Sequence, residues 1–317
     1  MMIKLGIIMD PIQSINIKKD TSFALLLEAQ TRGYKIYYME INYLYLRGGD
    51  ARAYCRLLSV KNDCQNWYSF YGEEEIDLRD LDVILMRKNP PINTEFIYCT
   101  YILEYAEKHG TLIINKPQSL RDCNEKIFPL LFQVYTPETL VSQRNEDIRA
   151  FLQQYNDIII KPLNSMGGQS VFRIKNTDPN LSVIIETLTN NNKKFCMAQI
   201  YLPSIEDGDK RVFVIDGKPV PYCLARIPNK GETRANLVAG GYGEARALSK
   251  IDWEIAHSLG PVLKQKGLMF VGLDIIGNKL TEINITSPTC VLEIEAMFKI
   301  SITGMLMDAI EKHIKTI

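Results

Sequence analysis

FVGLDIIGNKLTEIN, residues 270–284, decides how this chain folds. Val271, Leu273 and Ile275 alternate with Gly272 and Asp274, the period-two pattern of a half-buried strand. Glu282 and Asn284 lie two apart in the next apolar run, so they share one face of a second strand. Gly277-Asn278 marks the turn between them. Two readings stand at this point. The polar residues line the wet face of an ordinary hairpin, or Asp274, Glu282 and Asn284 gather two carboxylates and an amide oxygen for Mg²⁺, which takes hard oxygen ligands. Register separates the two. A two-residue loop, pairing Ile276 with Lys279, sets Asp274 against Thr281 and turns Glu282 and Asn284 to the opposite face. A three-residue loop, Gly277 to Lys279, pairs Ile276 with Leu280. Asp274 then stands across from Glu282, and Asn284 across from Gly272. The expectation is the three-residue loop, with converging carboxylates.

Outward from this hairpin, Arg211 to Ile215 and Tyr222 to Ile227 read as strands, with Asp216-Gly217 in between as a strong hairpin turn. Residues 228–247, polar and rich in Gly, form a loop of a length that is uncommon unless it is functional or disordered. Asp252 to Lys266 and Ile302 to Lys315 have helical spacing. Upstream, Asp157 to Lys161 and Val171 to Ile174 are strands around a Gly-Gly turn, Leu181 to Leu188 is a helix, and Cys196 to Leu202 a strand. Ser119 starts a helix through about Leu131. Near the start, residues 3–9, a helix over Lys19 to Arg32 and the strand Tyr34 to Met39 make a βαβ unit. Strands Asp82 to Met86 and Leu112 to Ile114 flank a helix over Glu95 to His109. The first 115 or so residues thus read as an open parallel sheet, whose ligand side lies near Asp10 and Arg87.

The chain has 317 residues, which corresponds to about two domains or three small lobes. Hydrophobic residues are 46% and charged residues 23%, ordinary for a packed globular chain. Lys+Arg and Asp+Glu are both 37, which argues against nucleic acid or an anionic membrane as the main partner. Seven cysteines without a CxxC pair point to free thiols and a cytoplasmic setting. Three scattered histidines exclude a His-based zinc site. No apolar run reaches the length of a membrane span.

Three further features suit an anionic ligand. Lys161 ends the apolar run IIIK, where a lysine needs a partner. The turn Ser165-Met166-Gly167-Gly168 follows it, and paired glycines let backbone N–H groups approach phosphate. Lys126, in what reads as a helix, either reaches the same place or is a solvated helix lysine. Arg87, Arg211, Arg226 and Arg234 carry forks that match phosphate or carboxylate, though each alone also reads as a surface residue. Cys123, Cys223 and Cys290 have no histidine nearby and read as packing residues.

Several runs occur in an order that resembles the bacterial glutathione synthetases, which are ATP-grasp ligases. They are MDP at 9–11, ILMRK at 84–88, NKPQSLRDCNEK at 115–126, GDKR at 208–211, PYCLARIP at 221–228, GLDIIG at 272–277 and TEINITSPT at 281–289. The resemblance spans essentially the whole chain. It implies an α/β fold of ATP-grasp type with an N-terminal open parallel-sheet domain, divided as 1–122, 123–202 (central lobe with phosphate loop) and 203–317 (lid and metal site). It implies ligation of γ-glutamylcysteine to glycine through an acyl phosphate, with ATP as co-substrate and Mg²⁺ or Mn²⁺ as cofactor. Lys126 and Lys161, with Ser165, Met166, Gly167 and Gly168, bind the ATP phosphates by this resemblance. Gln199, Tyr201 and Leu202 line the adenine pocket, and Asp209 reaches the ribose. Asp274, Glu282 and Asn284 hold the metal, and Arg211, Arg226 and Arg234 neutralise charge in the reaction. Arg87, Ser287 and Pro288 lie near the peptide substrate, and 228–243 is a mobile lid. A cytoplasmic homo-oligomer, a tetramer in the family, is implied as well, with no nucleic-acid or membrane partner. Three positions depart from the family pattern: NSMGG replaces DGMGG in the phosphate loop, and Tyr242 and Leu292 stand where arginine is usual. They keep two rivals in view, an ATP-binding protein without ligase activity and a ligase for another carboxylate.

Overall fold

The computed structural model describes residues 2–232, 234–237 and 240–315. The described residues build three sheets. The first contains β1 (Lys4–Ile8), β2 (Lys35–Met39), β3 (Leu44–Arg47), β4 (Asp50–Val60), β5 (Tyr68–Asp77), β6 (Val83–Met86) and β7 (Leu112–Ile114). Helices α1 (Thr21–Thr31) and α2 (Thr94–Lys108) pack on it. Asp20 caps α1 by accepting from the Phe23 N–H, and Asn93 caps α2 by accepting from Phe96. Strands β2, β1, β6 and β7 are parallel, as expected, but β3, β4 and β5 add an antiparallel flank beside β2. The N-terminal sheet is therefore mixed, which corrects the purely parallel expectation. The inner face of β4 is built largely of small residues, Ala51, Ala53 and Cys55, whose hydrophobic signal is weak. On β5, Glu73, Glu74 and Glu75 run consecutively, which hides a strand at the sheet's edge.

The helix expected from Ser119 to Leu131 is two pieces. Helix α3 runs Pro117–Asp122, with Pro at its first position. A turn carrying Glu125 and Lys126 follows, and then a short 3₁₀ segment, Phe128–Phe132. The second sheet is antiparallel, ordered β10 (Phe172–Lys175), β9 (Asp157–Pro162), β11 (Cys196–Ile200), β8 (Thr139–Ser142). Helices α4 (Asn145–Tyr155) and α5 (Leu181–Thr189) close a separate small core with Ile158, Ile160 and Ile174.

The third sheet is ordered β14 (Tyr242–Ala247), β13 (Lys218–Ile227), β12 (Asp209–Ile215), β15 (Phe270–Ile276), β16 (Lys279–Asn284). Asp216 and Gly217, both at positive φ, form the expected two-residue turn between β12 and β13. Strand β14 claims the end of what reads as one long loop from 228 to 247. Helices α6 (Lys250–Gln265), α7 (Val291–Phe298) and α8 (Ile302–Ile314) complete this part. A continuous core joins the first and third sheets, with Ile84 and Leu103 in one cluster with Val271, Leu273 and Ile283. Asn115 locks them together. Its side chain donates to the Phe270 and Ile285 carbonyls at 2.8 and 2.7 Å and accepts from the Phe270 N–H at 2.9 Å.

The β15–β16 hairpin settles the register question in an unexpected way. Ile276 pairs with Lys279 and Ile275 with Leu280, so the loop is the two-residue turn, not the three-residue one. Gly277 takes φ 59°, as the first central residue of a type II′ turn must. A bulge at Thr281 then shifts the ladder by one. Asp274 faces Glu282 and Gly272 faces Asn284. The shared face is thus reached by a tight turn plus one extra residue. The Thr281 hydroxyl donates to the Asp274 carbonyl at 3.1 Å across the bulge.

Candidate functional site

Between the second and third sheets lies a cleft. Strand β9 brings Lys161 to it, buried, and the loop after β9 brings Ser165 to Gly168. Gly167 and Gly168 have φ 65° and 76°, conformations that favour glycine. Gly168 also lies so close to Asn236 that an added Cβ would meet its Oδ1 at 2.5 Å. Strand β11 and the residues after it bring Gln199, Tyr201 and Leu202, which line the cleft with Ile159 and Ile205. Gln199 donates to the Thr139 hydroxyl at 2.9 Å, and Tyr201 is covered by the Arg173 guanidinium 3.4 Å from its ring centroid. Arg234 lines the cleft beside Asn236 and pairs with Glu232 at 2.7 Å. Of the expected lid, Thr233, Val238 and Ala239 lie outside the described residues.

Around Asp274 and Glu282, four cations meet three carboxylates. Lys161 donates to Glu282 Oε1 at 3.3 Å, and Lys126 Nζ lies 3.6 Å from the same oxygen while donating to the Ser165 carbonyl at 2.7 Å. Lys126 is buried and sits in a turn, which corrects its helical placement. Arg211 grips Asp274 with Nε at 2.6 Å and Nη2 at 3.2 Å, and Arg226 Nη2 reaches Asp274 Oδ2 at 2.9 Å. Arg226 also donates to Asp209. Burial pushes the Asp274 carboxyl up, but Arg211 and Arg226 outweigh it and hold the group well below the usual range. Burial acts likewise on Glu282, and Lys126 and Lys161 bring it below its ordinary value. Asp209 goes the other way: burial, with Asp274 nearby, raises it to about 6 against the pull of Arg226. Its Oδ1 is buried and has no hydrogen-bond partner.

A second cavity adjoins the first and shares with it Ser165, Met166, Gly167, Asn236, Asp274 and Glu282. Arg211, Arg226, Asn284 and Ser287 face only this second space. Asn284 uses its amide nitrogen on the Gly272 carbonyl at 3.2 Å. Arg87 and Pro288 are not on its wall. Arg87 is buried, donates to Ser22 at 3.0 Å and to the Pro288 carbonyl at 3.0 Å, and stacks over Phe270. Arg211 holds the next carbonyl, Thr289, at 3.3 Å. These two guanidiniums therefore fix the 287–290 loop through its carbonyls. Glu125 was not singled out in the sequence. Its Oε1 accepts from the Ile285 N–H at 2.9 Å, the Thr286 N–H at 3.1 Å and the Thr286 hydroxyl at 2.9 Å. Only an acidic residue beside Lys126 hinted at it.

The donor set fits a hard divalent cation. Asp274 and Glu282 are ionised, front both cavities and stand opposite each other, with Asn284 on the same face. Among the described residues no cluster of three or more His, Cys, Asp or Glu is arranged for a metal, so the fit rests on these two carboxylates and one amide. Among them, too, no helix is long and apolar enough to cross a membrane.

Comparison with known proteins identifies the family. Residues 125–299 match the family described as "Prokaryotic glutathione synthetase, ATP-grasp domain", and residues 3–121 match "Prokaryotic glutathione synthetase, N-terminal domain". The chain is 68% identical over 314 residues to the glutathione synthetase of Yersinia pestis, covering 99% of this chain and 98% of that protein. It is 65% identical to that of Escherichia coli K12, covering 99% of each. Among solved structures, D-cycloserine synthetase DcsG superposes with TM-score 0.67 at 14% identity, covering 98% of this chain and 99% of that one. The ATP-grasp ligase PsnB superposes with TM-score 0.63 at 17% identity, covering 98% of each. The structural neighbours share the fold alone, while the two family matches and the identity of 65% and 68% along nearly the whole chain decide the family: this chain belongs to the prokaryotic glutathione synthetase family and has the ATP-grasp fold.

Proposed function

We propose that this protein joins γ-glutamylcysteine to glycine at the expense of ATP, releasing ADP and phosphate through an acyl phosphate. The observation that carries the reading is the shared wall of the two cavities. Asp274, Glu282 and the Ser165–Gly167 loop border both, so a nucleotide in one space and a carboxylate in the other meet there. Gln199, Tyr201 and Leu202 take the adenine, Asp209 the ribose, and Lys126, Lys161 and the glycine loop the phosphates. Asp274, Glu282 and Asn284 hold Mg²⁺ or Mn²⁺. When bound, that ion screens the charge between γ-phosphate and carboxylate.

The chain's own groups supply the rest. A carboxylate resists attack by an amine because it is anionic and has a poor leaving group. Phosphoryl transfer to its oxygen gives a phosphate leaving group, and that step needs chiefly position and positive charge. Lys126, Lys161, Arg211 and Arg226 supply the charge, preorganised by the carboxylates they already grip. Arg234 adds to it from the segment 228–243, which acts as a lid excluding water from the acyl phosphate. Ser287 contacts the peptide, while Arg87 and Pro288 position the loop that carries it. The lobes 1–122, 123–202 and 203–317 each contribute a sheet, and the working unit is a cytoplasmic homo-oligomer, a tetramer. The deciding assay is Mg²⁺-dependent ADP release with γ-glutamylcysteine and glycine, each omitted in turn. Release requiring both supports the reading. ATP binding without turnover, or turnover only with a different acid, overturns it.

A further inference from the structure

Thr139 opens β8 and stands directly across the ladder from Gln199 on β11. Gln199 is buried and lines the nucleotide cleft, whereas Thr139 does not border it. Two hydrogen bonds run through the Thr139 hydroxyl. It donates to the Pro137 carbonyl at 2.8 Å, and Gln199 Nε2 donates to it at 2.9 Å. The direction of this relay follows from the groups themselves. A carbonyl oxygen only accepts, so the single hydroxyl proton of Thr139 points at Pro137. Oγ1 then has lone pairs alone to offer Gln199, and only the NH₂ side of the amide can meet them. Turning the amide over would set its oxygen against the hydroxyl oxygen, acceptor to acceptor.

The other end of the amide is Oε1. Nothing among the described residues donates to it, and it is not one of the side-chain atoms buried without a partner. The oxygen therefore opens on the cleft, among Ile159, Val171 and Ile276, whose side chains carry no donor. An acceptor held in this way selects a purine by its 6-substituent. The 6-amino group of adenine donates. The 6-oxo group of hypoxanthine or guanine accepts, and would face Oε1 lone pair to lone pair. We propose that Thr139 is a positioning residue for base selection. Its hydroxyl, aimed by the Pro137 carbonyl, holds the Gln199 amide with oxygen toward the cleft, so 6-amino purine nucleotides bind and 6-oxo purine nucleotides are rejected. The inference rests on the placement of the base against Gln199 in the reading above. A site arranged to hydrogen-bond a group penalises the analogue that leaves its own polar group unpaired.

The test uses the full chain with Mg²⁺ and calorimetric titration of ADP and of inosine diphosphate, which carries the 6-oxo group. The quantity read is the ratio of the two dissociation constants. Thr139→Val keeps the side-chain shape and removes the relay. The amide can then present Nε2 to a 6-oxo group, and the preference for ADP should narrow about tenfold. Thr139→Ser restores the hydroxyl and should keep the ratio within about twofold of wild type. Gln199→Leu removes the acceptor and should narrow the ratio at least as far as Thr139→Val does. An unchanged ratio in Thr139→Val, equal losses for both nucleotides in that variant, or a Thr139→Ser variant no better than Thr139→Val overturns the relay. A Gln199→Leu variant that binds both nucleotides as wild type does overturns the placement of the base, and the relay with it. Wild-type chain that binds neither nucleotide overturns the ATP-dependent reading itself.

Discussion

Asp274 stands directly across the β15–β16 ladder from Glu282, and each carboxylate is gripped by its own pair of cations. Arginines from β12 and β13 hold Asp274; lysines from the Lys126 turn and β9 hold Glu282. Without those cations, two carboxylates facing each other would repel at a cost of up to about 1 kcal/mol, and burial would add more. The arrangement keeps both ionised at the wall between the two cavities.

Removing one side of this arrangement is expected to be severe. Asp274→Asn leaves Arg211 and Arg226 buried with less counter-charge and should cost about 3–5 kcal/mol of stability, the range for breaking a buried ion pair. Urea unfolding of the ligand-free chain reads this directly. A loss under 1 kcal/mol would mean that Asp209 and water compensate the guanidiniums. Turnover should fall at least roughly 100-fold, as when a preorganised electrostatic group is removed.

Gly168→Ala tests the glycine loop. The residue sits at φ 76°, and a Cβ would lie 2.5 Å from Asn236 Oδ1. The loop must shift, so the KM for ATP should rise about tenfold, equivalent to about 1.4 kcal/mol. The unfolding midpoint should barely move, because the loop is not part of a core. An unchanged KM would show that this backbone does not hold the phosphates.

How much of this was legible differs from residue to residue. Lys161 announced itself, because a lysine closing an isoleucine run has to be buried and paired. The Asp216-Gly217 turn and the βαβ unit followed from local chemistry alone. Strands β4 and β5 did not, since alanines inside and glutamates outside leave no clear alternation. The bulge at Thr281 was invisible too: threonine is an ordinary strand residue, and only pairing with β15 reveals that it is surplus.

Glu125 gives a pH signature. Burial raises its carboxyl above the ordinary 4.5, against the backbone N–H groups of Thr286 and Ile285. The folded state therefore holds the proton to higher pH than the unfolded state does. Wild-type stability carries the full contribution of the protonated group below 4.5 and loses it as pH rises through the folded pKa. Glu125→Gln keeps the Oε1 acceptor and has no charge to bury. Its stability relative to wild type should improve from pH 4 to pH 7 in ligand-free urea titrations. A difference independent of pH would show that Glu125 titrates normally.

The last prediction concerns register. The two-residue turn at Gly277-Asn278 would by itself set Asp274 against Thr281, and the bulge corrects this by one residue. A ladder tolerates one surplus residue at a bulge far more readily than two. Inserting one alanine between Thr281 and Glu282 should therefore move Glu282 one place along β16 and turn its side chain to the opposite face. Lys126 and Lys161 would lose their shared partner, and Asp274 would stand alone at the wall between the cavities. Deleting Thr281 has the opposite consequence. The turn then runs into an unbulged ladder in which Asp274 still faces Glu282, at the cost of the Thr281 hydroxyl bond to the Asp274 carbonyl, about 1 kcal/mol. The insertion should abolish Mg²⁺-dependent ADP release, and the deletion should retain a measurable fraction of it. Equal activity of the two variants would show that the Asp274–Glu282 pairing is not what the reaction requires.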